Sequence, residues 1–247
     1  MIRYRNFRLR LLNTPQYRHM KLLIYWPFYG FLFYLLERGL PLIGITPNYY
    51  PVEMQLDAAI PFCEFFIVPY HLWFFCLVGI HIYTLYHDIP SFRKLMYFIM
   101  ITYSLTILTY IFFPTQQLLR PDPAEFERQN IFTYFVEHLY VFDTNTNVCP
   151  SLHVIGSMAT LFTAWNSKHF ATVFWRITLT ILAVFICAST VFLKQHSILD
   201  IYIAFGYCAF AYPFAYLLPD YLKKKGLSLP KGAVPAAAQG GKNSGEV

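Results

Sequence analysis

His196 and Asp200 stand four residues apart in the stretch STVFLKQHSILDIYIAF, residues 189–205. On a helix that spacing puts both on one face. The carboxylate can then accept the N–H of one ring nitrogen, which fixes the tautomer and leaves the other nitrogen as a nucleophile or base. An aspartate inside an apolar segment costs about 2.5–3.5 kcal/mol on insertion scales, so a paired, working group is the expected role. The plainer alternative is an interfacial histidine beside an aspartate that serves a helix dipole.

Two further polar stretches interrupt apolar sequence. In CPSLHV, residues 149–154, Pro150 suits the first turn of a helix, where its missing N–H is not needed. The free N–H groups of such a turn point outward and form an anion site. Ser151 adds a hydroxyl, and His153 adds a group that exchanges a proton near neutral pH. In PTQQLLRPDP, residues 114–123, Arg120 is a permanent cation whose fork fits phosphate oxygens. Each stretch taken alone has a bland reading as interfacial polar residues. Together they supply a cation, an anion-binding helix end, two histidines and an aspartate. That is the set for phosphoryl transfer through a phosphohistidine: His196 attacks phosphorus, Asp200 supports it, and His153 protonates the leaving oxygen. Such chemistry requires no metal and no cofactor, and no carboxylate cluster in the sequence suggests a metal.

These residues must be held by membrane helices. The chain has 247 residues, of which 57% are hydrophobic, 20% aromatic and only 13% charged. A soluble domain carries about 25% charge. The composition therefore predicts an all-α integral membrane protein. Six apolar blocks run at roughly 22–37, 62–86, 95–113, 150–166, 172–193 and 197–218. A bilayer core about 30 Å thick needs about 20 helical residues, and backbone in lipid must satisfy its own hydrogen bonds, so the blocks are expected to form a six-helix bundle. No alternating strand pattern suggests a barrel. Residues 1–21 form a basic N-terminal stretch, 22–225 the membrane domain with its catalytic core at about 60–218, and 226–247 a tail of small residues expected to be disordered.

The net charge is +6, but the basic residues cluster. Arg3, Arg5, Arg8, Arg10, Arg18 and Lys21 precede the first block, and Lys223, Lys224 and Lys225 close the last. Because the clusters flank apolar blocks, they fit membrane topology and not nucleic-acid binding. Arg93, Lys94 and Lys168 fall on the same side, whereas the loop from 39 to 61 has no Lys or Arg. The positive-inside rule then places both termini in the cytoplasm and all three polar stretches at the outer face. The first block shows no cleavage pattern and is expected to remain as a span. The five cysteines show no metal-ligand spacing; Cys63, Cys76, Cys187 and Cys208, in apolar runs, are small apolar fillers.

The motifs resemble the type 2 phosphatidic acid phosphatase superfamily, whose pattern is K-x6-RP, then PSGH, then SR-x5-H-x3-D on a six-helix core. This sequence carries RP at 120–121, PSLH at 150–153, and Ser189 followed by His196 and Asp200. The resemblance spans about residues 60–218 and implies that His196 is the nucleophile, Asp200 its partner and His153 the general acid, with Arg120 and Ser151 holding phosphate. The family lysine falls at Phe113, the family arginine at Thr190 and the family glycine at Leu152. Lys194, two residues before His196, is a candidate replacement for one missing cation. PSLH with H-x3-D also resembles the branch of inositol phosphorylceramide and sphingomyelin synthases, which move a phospho-head-group onto a lipid alcohol.

The expectation is therefore a lipid phosphatase of the membrane, its closest rival a lipid phosphotransferase with the same triad. The alternative of another class is a non-enzymatic lipid-binding or transport protein. A bacterial plasma membrane is the expected location, and the oligomeric state stays open. Glu64 is expected to pair with Arg38 or to lie at the interface, His71 and His81 to be structural, and Tyr49, Tyr50, Tyr83, Tyr86 and Tyr221 to anchor span ends.

Overall fold

The computed structural model describes Tyr4 and residues 7–226. The chain is mostly helical. In order, the helices are α1 (Tyr25–Tyr34), α2 (Leu40–Leu42), α3 (Gln55–Ala59), α4 (Ile67–His87), α5 (Ile89–Phe112), α6 (Ile131–Phe142), α7 (Leu152–Asn166), α8 (Val173–Phe192), α9 (Ile198–Tyr212) and α10 (Leu218–Lys224). Among the described residues four helical runs are long and apolar enough to cross a bilayer: Glu64–His87, Ile89–Phe112, Val173–Phe192 and Ile198–Lys224.

The other two expected spans take a different form. The first block lies in a run from a 3-10 segment, Arg18–Ile24, through α1 to a π segment, Leu35–Gly39, and α2. Pro27, which has no N–H to donate, sits near the start of α1. The fourth block is α7, with only 15 residues, about 22 Å of helix. It is short because it starts inside the protein, not at its surface. Ser151, Val154 and Ile155 are fully buried, and α7 packs against α4, α5, α8 and α9.

Helices in lipid associate through close packing and hydrogen bonds across helices, not through apolar burial alone. Small buried residues, Ala204, Cys208, Ala211 and Ala215, recur on one face of α9 and its continuation. Phe92, Leu95, Met96, Phe98 and Ile99 of α5 are wholly buried. Hydroxyl pairs tie the helices further: Thr163 Oγ1 with Tyr216 Oη at 2.9 Å, Thr109 Oγ1 with Tyr207 Oη at 2.6 Å, and Tyr25 Oη with Ser104 Oγ at 3.0 Å. The outward faces carry exposed Phe74, Phe75, Val184, Phe185 and Phe210, as lipid contact requires.

The bundle has two distinct ends. At one, Ser167 donates to Asp88 at 2.6 Å and Lys94 pairs with Asp220 at 2.7 Å. The basic residues Arg93, Lys94 and Lys168 belong to this end. At the other end the two long connections knit together, which the sequence alone did not predict. Strand β1 (Tyr50–Pro51) pairs in parallel with β2 (Thr115–Gln116), and Gln116 bridges to Thr146. The stretch from 114 to 149, expected as loop, contains α6, whose Asn130 side chain accepts the Phe132 and Thr133 amides. The predicted disorder of the tail concerns residues beyond Gly226 and lies outside the described residues.

Candidate active site

All six sequence-selected residues belong to the knitted end. α9 begins with a capping box in which Ser197 and Asp200 exchange caps. The same Asp200 Oδ2 accepts the Ser197 amide at 3.1 Å and the His196 Nδ1–H at 3.0 Å. His196 is 8% exposed and Asp200 wholly buried. With Nδ1 committed to the carboxylate, Nε2 keeps the ring's lone pair. The backbone behind the histidine is locked as well, because the Gln195 and His196 amides both donate to Thr190 O at 3.0 Å.

His153, one residue into α7, lies beside this pair. Its ring centre is 5.8 Å from that of His196. It is sandwiched by aromatic rings, with Tyr70 at 4.1 Å and Trp73 at 4.4 Å, and its buried Nδ1 has no partner among the described residues. Trp73 reaches that position only because residue 156 is glycine: a Cβ there would collide with Trp73 Nε1.

Two helix N-termini meet at the site, and they differ. That of α9 is closed by Ser197 and Asp200, and by a third group, Asp57, that the sequence reading did not single out. Asp57 Oδ1 accepts the Ile198 amide at 2.8 Å, and its Oδ2 accepts the Ser197 hydroxyl at 2.6 Å and the Met54 amide at 2.7 Å. That of α7 is open. Ser151 occupies its N-cap position, yet its buried hydroxyl caps nothing and has no partner among the described residues. An uncapped first turn with a positive dipole end is where an anion is bound best.

Arg120 and Lys194 are at the site but their heads are engaged. Arg120 Nη1 donates to Tyr140 O at 3.1 Å, and Nη2 to Asp143 O at 2.8 Å, Thr144 O at 2.9 Å and Gln195 Oε1. The guanidinium also lies 4.7 Å from the Tyr140 ring centre, while its buried Nε has no partner among the described residues. Lys194 has a left-handed backbone, φ 53°, and its Nζ donates to Asp57 O at 2.7 Å and Ile60 O at 2.5 Å. Both cations therefore staple connections to the α8–α9 turn. Phe113 is exposed, and Thr190 donates its hydroxyl to Cys187 O at 2.8 Å.

The floor under α7 is fixed from the first helix. Glu37, in the π segment, is 8% exposed and accepts from Thr144 Oγ1 at 2.5 Å, Thr146 Oγ1 at 2.9 Å and Asn147 Nδ2 at 2.5 Å. Arg38 donates to Phe142 O at 3.0 Å, so it does not pair with Glu64. Glu64 instead accepts from Asn130 at 3.1 Å and sits 3.6 Å from Arg128, because α6 covers it. Cys149 is buried beside Asp200; burial and that carboxylate push its thiol up, so it stays protonated. His71 and His81 donate to carbonyls one turn back, Ile67 O at 2.9 Å and Leu77 O at 2.7 Å, as structural histidines do. Among the described residues no three His, Cys, Asp or Glu side chains converge to hold a metal ion.

Comparison with family models, with curated proteins and with solved structures finds no match to this chain.

Proposed function

We propose that this chain is an integral membrane phosphoryl-transfer enzyme that removes phosphate or diphosphate from a lipid. The observation that carries the reading is the convergence at one end of the bundle of an Asp-oriented His196, a neighbouring His153 and an open helix start at Ser151. His196 Nε2 attacks phosphorus, the bond to the lipid oxygen breaks, and His153 delivers the proton to that oxygen. Water then attacks the phosphohistidine, His153 takes its proton, and phosphate leaves. Asp200 holds the His196 ring and balances its positive charge throughout. Oxygens of the phosphoryl group lie against the first turn of α7 and the Ser151 hydroxyl. The resemblance to the type 2 phosphatidic acid phosphatases supports the same roles. Six spans, with the runs 18–42 and α7 as the additional two, both termini cytoplasmic and the site outward, accord with the distribution of Arg and Lys.

One observation favours a second reading, transfer of a phospho-head-group to a lipid alcohol. Phe113 and Thr190 stand where the family has cations, and the heads of Arg120 and Lys194 face protein carbonyls. A phosphodiester carries less charge than a monoester and needs fewer cations.

Purified protein is offered lipid phosphates, lipid diphosphates and phosphodiester lipids, with and without ceramide or diacylglycerol, beside His196→Ala. Phosphate released without acceptor and lost in the variant identifies the phosphatase. A new lipid formed only with acceptor identifies the transferase. Silence of both proteins across the panel would bring forward a lipid-binding or transport role without catalysis.

A further inference from the structure

We propose that Gln195 is a substrate-binding residue of this site, its side-chain amide donating to the oxygens of the phosphoryl group that His196 attacks. This rests on the phosphoryl-transfer reading above. Gln195 is 1% exposed, and its Oε1 meets Arg120 Nη2. A guanidinium has only donors, so the atom facing it must be the amide oxygen, and the orientation of the amide is settled by chemistry. Nε2 therefore faces away from Arg120. It is buried, and among the described residues it has no partner.

Buried amide donors are nearly always satisfied, and an unmet one is costly. This one belongs to the residue that precedes the proposed nucleophile, on backbone locked by the paired bonds to Thr190 O. Most other donors of the region are used. The Arg120 Nη groups serve carbonyls, Lys194 serves Asp57 O and Ile60 O, and the start of α9 serves Asp57 and Asp200. Arg120 Nε, Trp73 Nε1, Gln195 Nε2 and Ser151 Oγ are left without partners among the described residues, and the last two lie on the segments that carry His196 and His153. A phosphoryl group bridging them would meet one neutral amide, one hydroxyl and the open turn of α7. Arg120 would then act on the substrate through Gln195, by fixing which way the amide points.

Orthovanadate, a mimic of phosphoryl transfer, is titrated into detergent-purified protein, with affinity read by calorimetry and by the rise in Tm. Wild type binds, and His196→Ala binds more weakly. Gln195→Glu keeps an oxygen for Arg120 but replaces the donors with an acceptor. The expected result is an unliganded Tm close to wild type and vanadate affinity at least ten-fold lower. If Gln195→Glu does not accumulate folded, Gln195→Met removes the donors without adding charge and must show the same loss. Wild-type affinity in the folded variant, with His196→Ala still impaired, overturns the role of Gln195 alone. Failure of wild type itself to bind overturns this proposal together with the reading beneath it.

Discussion

The Asp57 carboxylate reaches out of a separate connection to take the Ser197 hydroxyl at 2.6 Å, and so caps the helix that carries Asp200 from outside that helix. The same aspartate offers its backbone carbonyl to Lys194. The turn bearing His196 is thus clamped on both sides by residues 54–60. Asp57→Ala is expected to cost about 2–4 kcal/mol, because it strands the Ile198 and Met54 amides and the Ser197 hydroxyl. Hydrogen exchange at the Ile198 amide should accelerate, while exchange in the middle of α5 changes little. Asp57→Asn, which can still accept from Ile198, should lie between. Unaltered exchange at Ile198 in the alanine variant would count against the clamp.

Asp200→Asn tests the dyad. The amide can still touch His196 Nδ1 but no longer balances its charge or enforces one tautomer. Turnover on whichever lipid the panel selects should fall by about 10²–10⁴-fold, with KM nearly unchanged. A loss confined to KM would mean that Asp200 serves binding only.

Gly156→Ala tests the aromatic sandwich. The added methyl meets Trp73 Nε1, so the indole must leave the ring of His153. Overpacking of this kind costs about 1–3 kcal/mol. The activity loss should exceed what the Tm change explains, and Trp73→Phe in the same chain, which lacks the clashing nitrogen, should restore part of it.

A pH experiment addresses the other end of the bundle. Burial raises the Asp88 carboxyl, but hydrogen bonds from Ser167 and Ser91 outweigh it and hold the group below its ordinary 3.8. A folded-state value below the unfolded one stabilises the protein above about pH 3.8 and stops doing so as pH falls through the folded value. Wild type should therefore melt above Asp88→Asn at about pH 5, where the carboxylate is charged, and that margin should shrink as pH falls below 3.8. A margin that widened in acid would invert the sign and contradict the assignment.

Much of the site was legible because helical spacing and chain chemistry act locally. His196 and Asp200 pair because four residues make one turn, whereas Pro150, expected in the first turn of a helix, lies outside α7, before its N-cap Ser151. Asp57 gave no such signal: an acid in the stretch 39–61, with no motif around it, acquires meaning only when the chain returns it to α9 from 140 residues away. The same holds for Glu37, which stands at the end of an apolar block and anchors residues 144–147. The roles expected of Arg120 and Lys194 depended on where the ends of long, flexible side chains point, which spacing does not encode.

By itself, the sequence determined the membrane-embedded helical class, since long apolar blocks have no other stable state in lipid, and it determined the local pairing of His196 with Asp200. Only the tertiary structure decided that α7 starts inside the protein, that its first turn is left uncapped while that of α9 is sealed by Asp57, and that Arg120 faces Gln195. Those features arise from contacts between segments far apart in the chain, where packing and the need to satisfy buried polar groups choose the partner, and no local pattern records that choice.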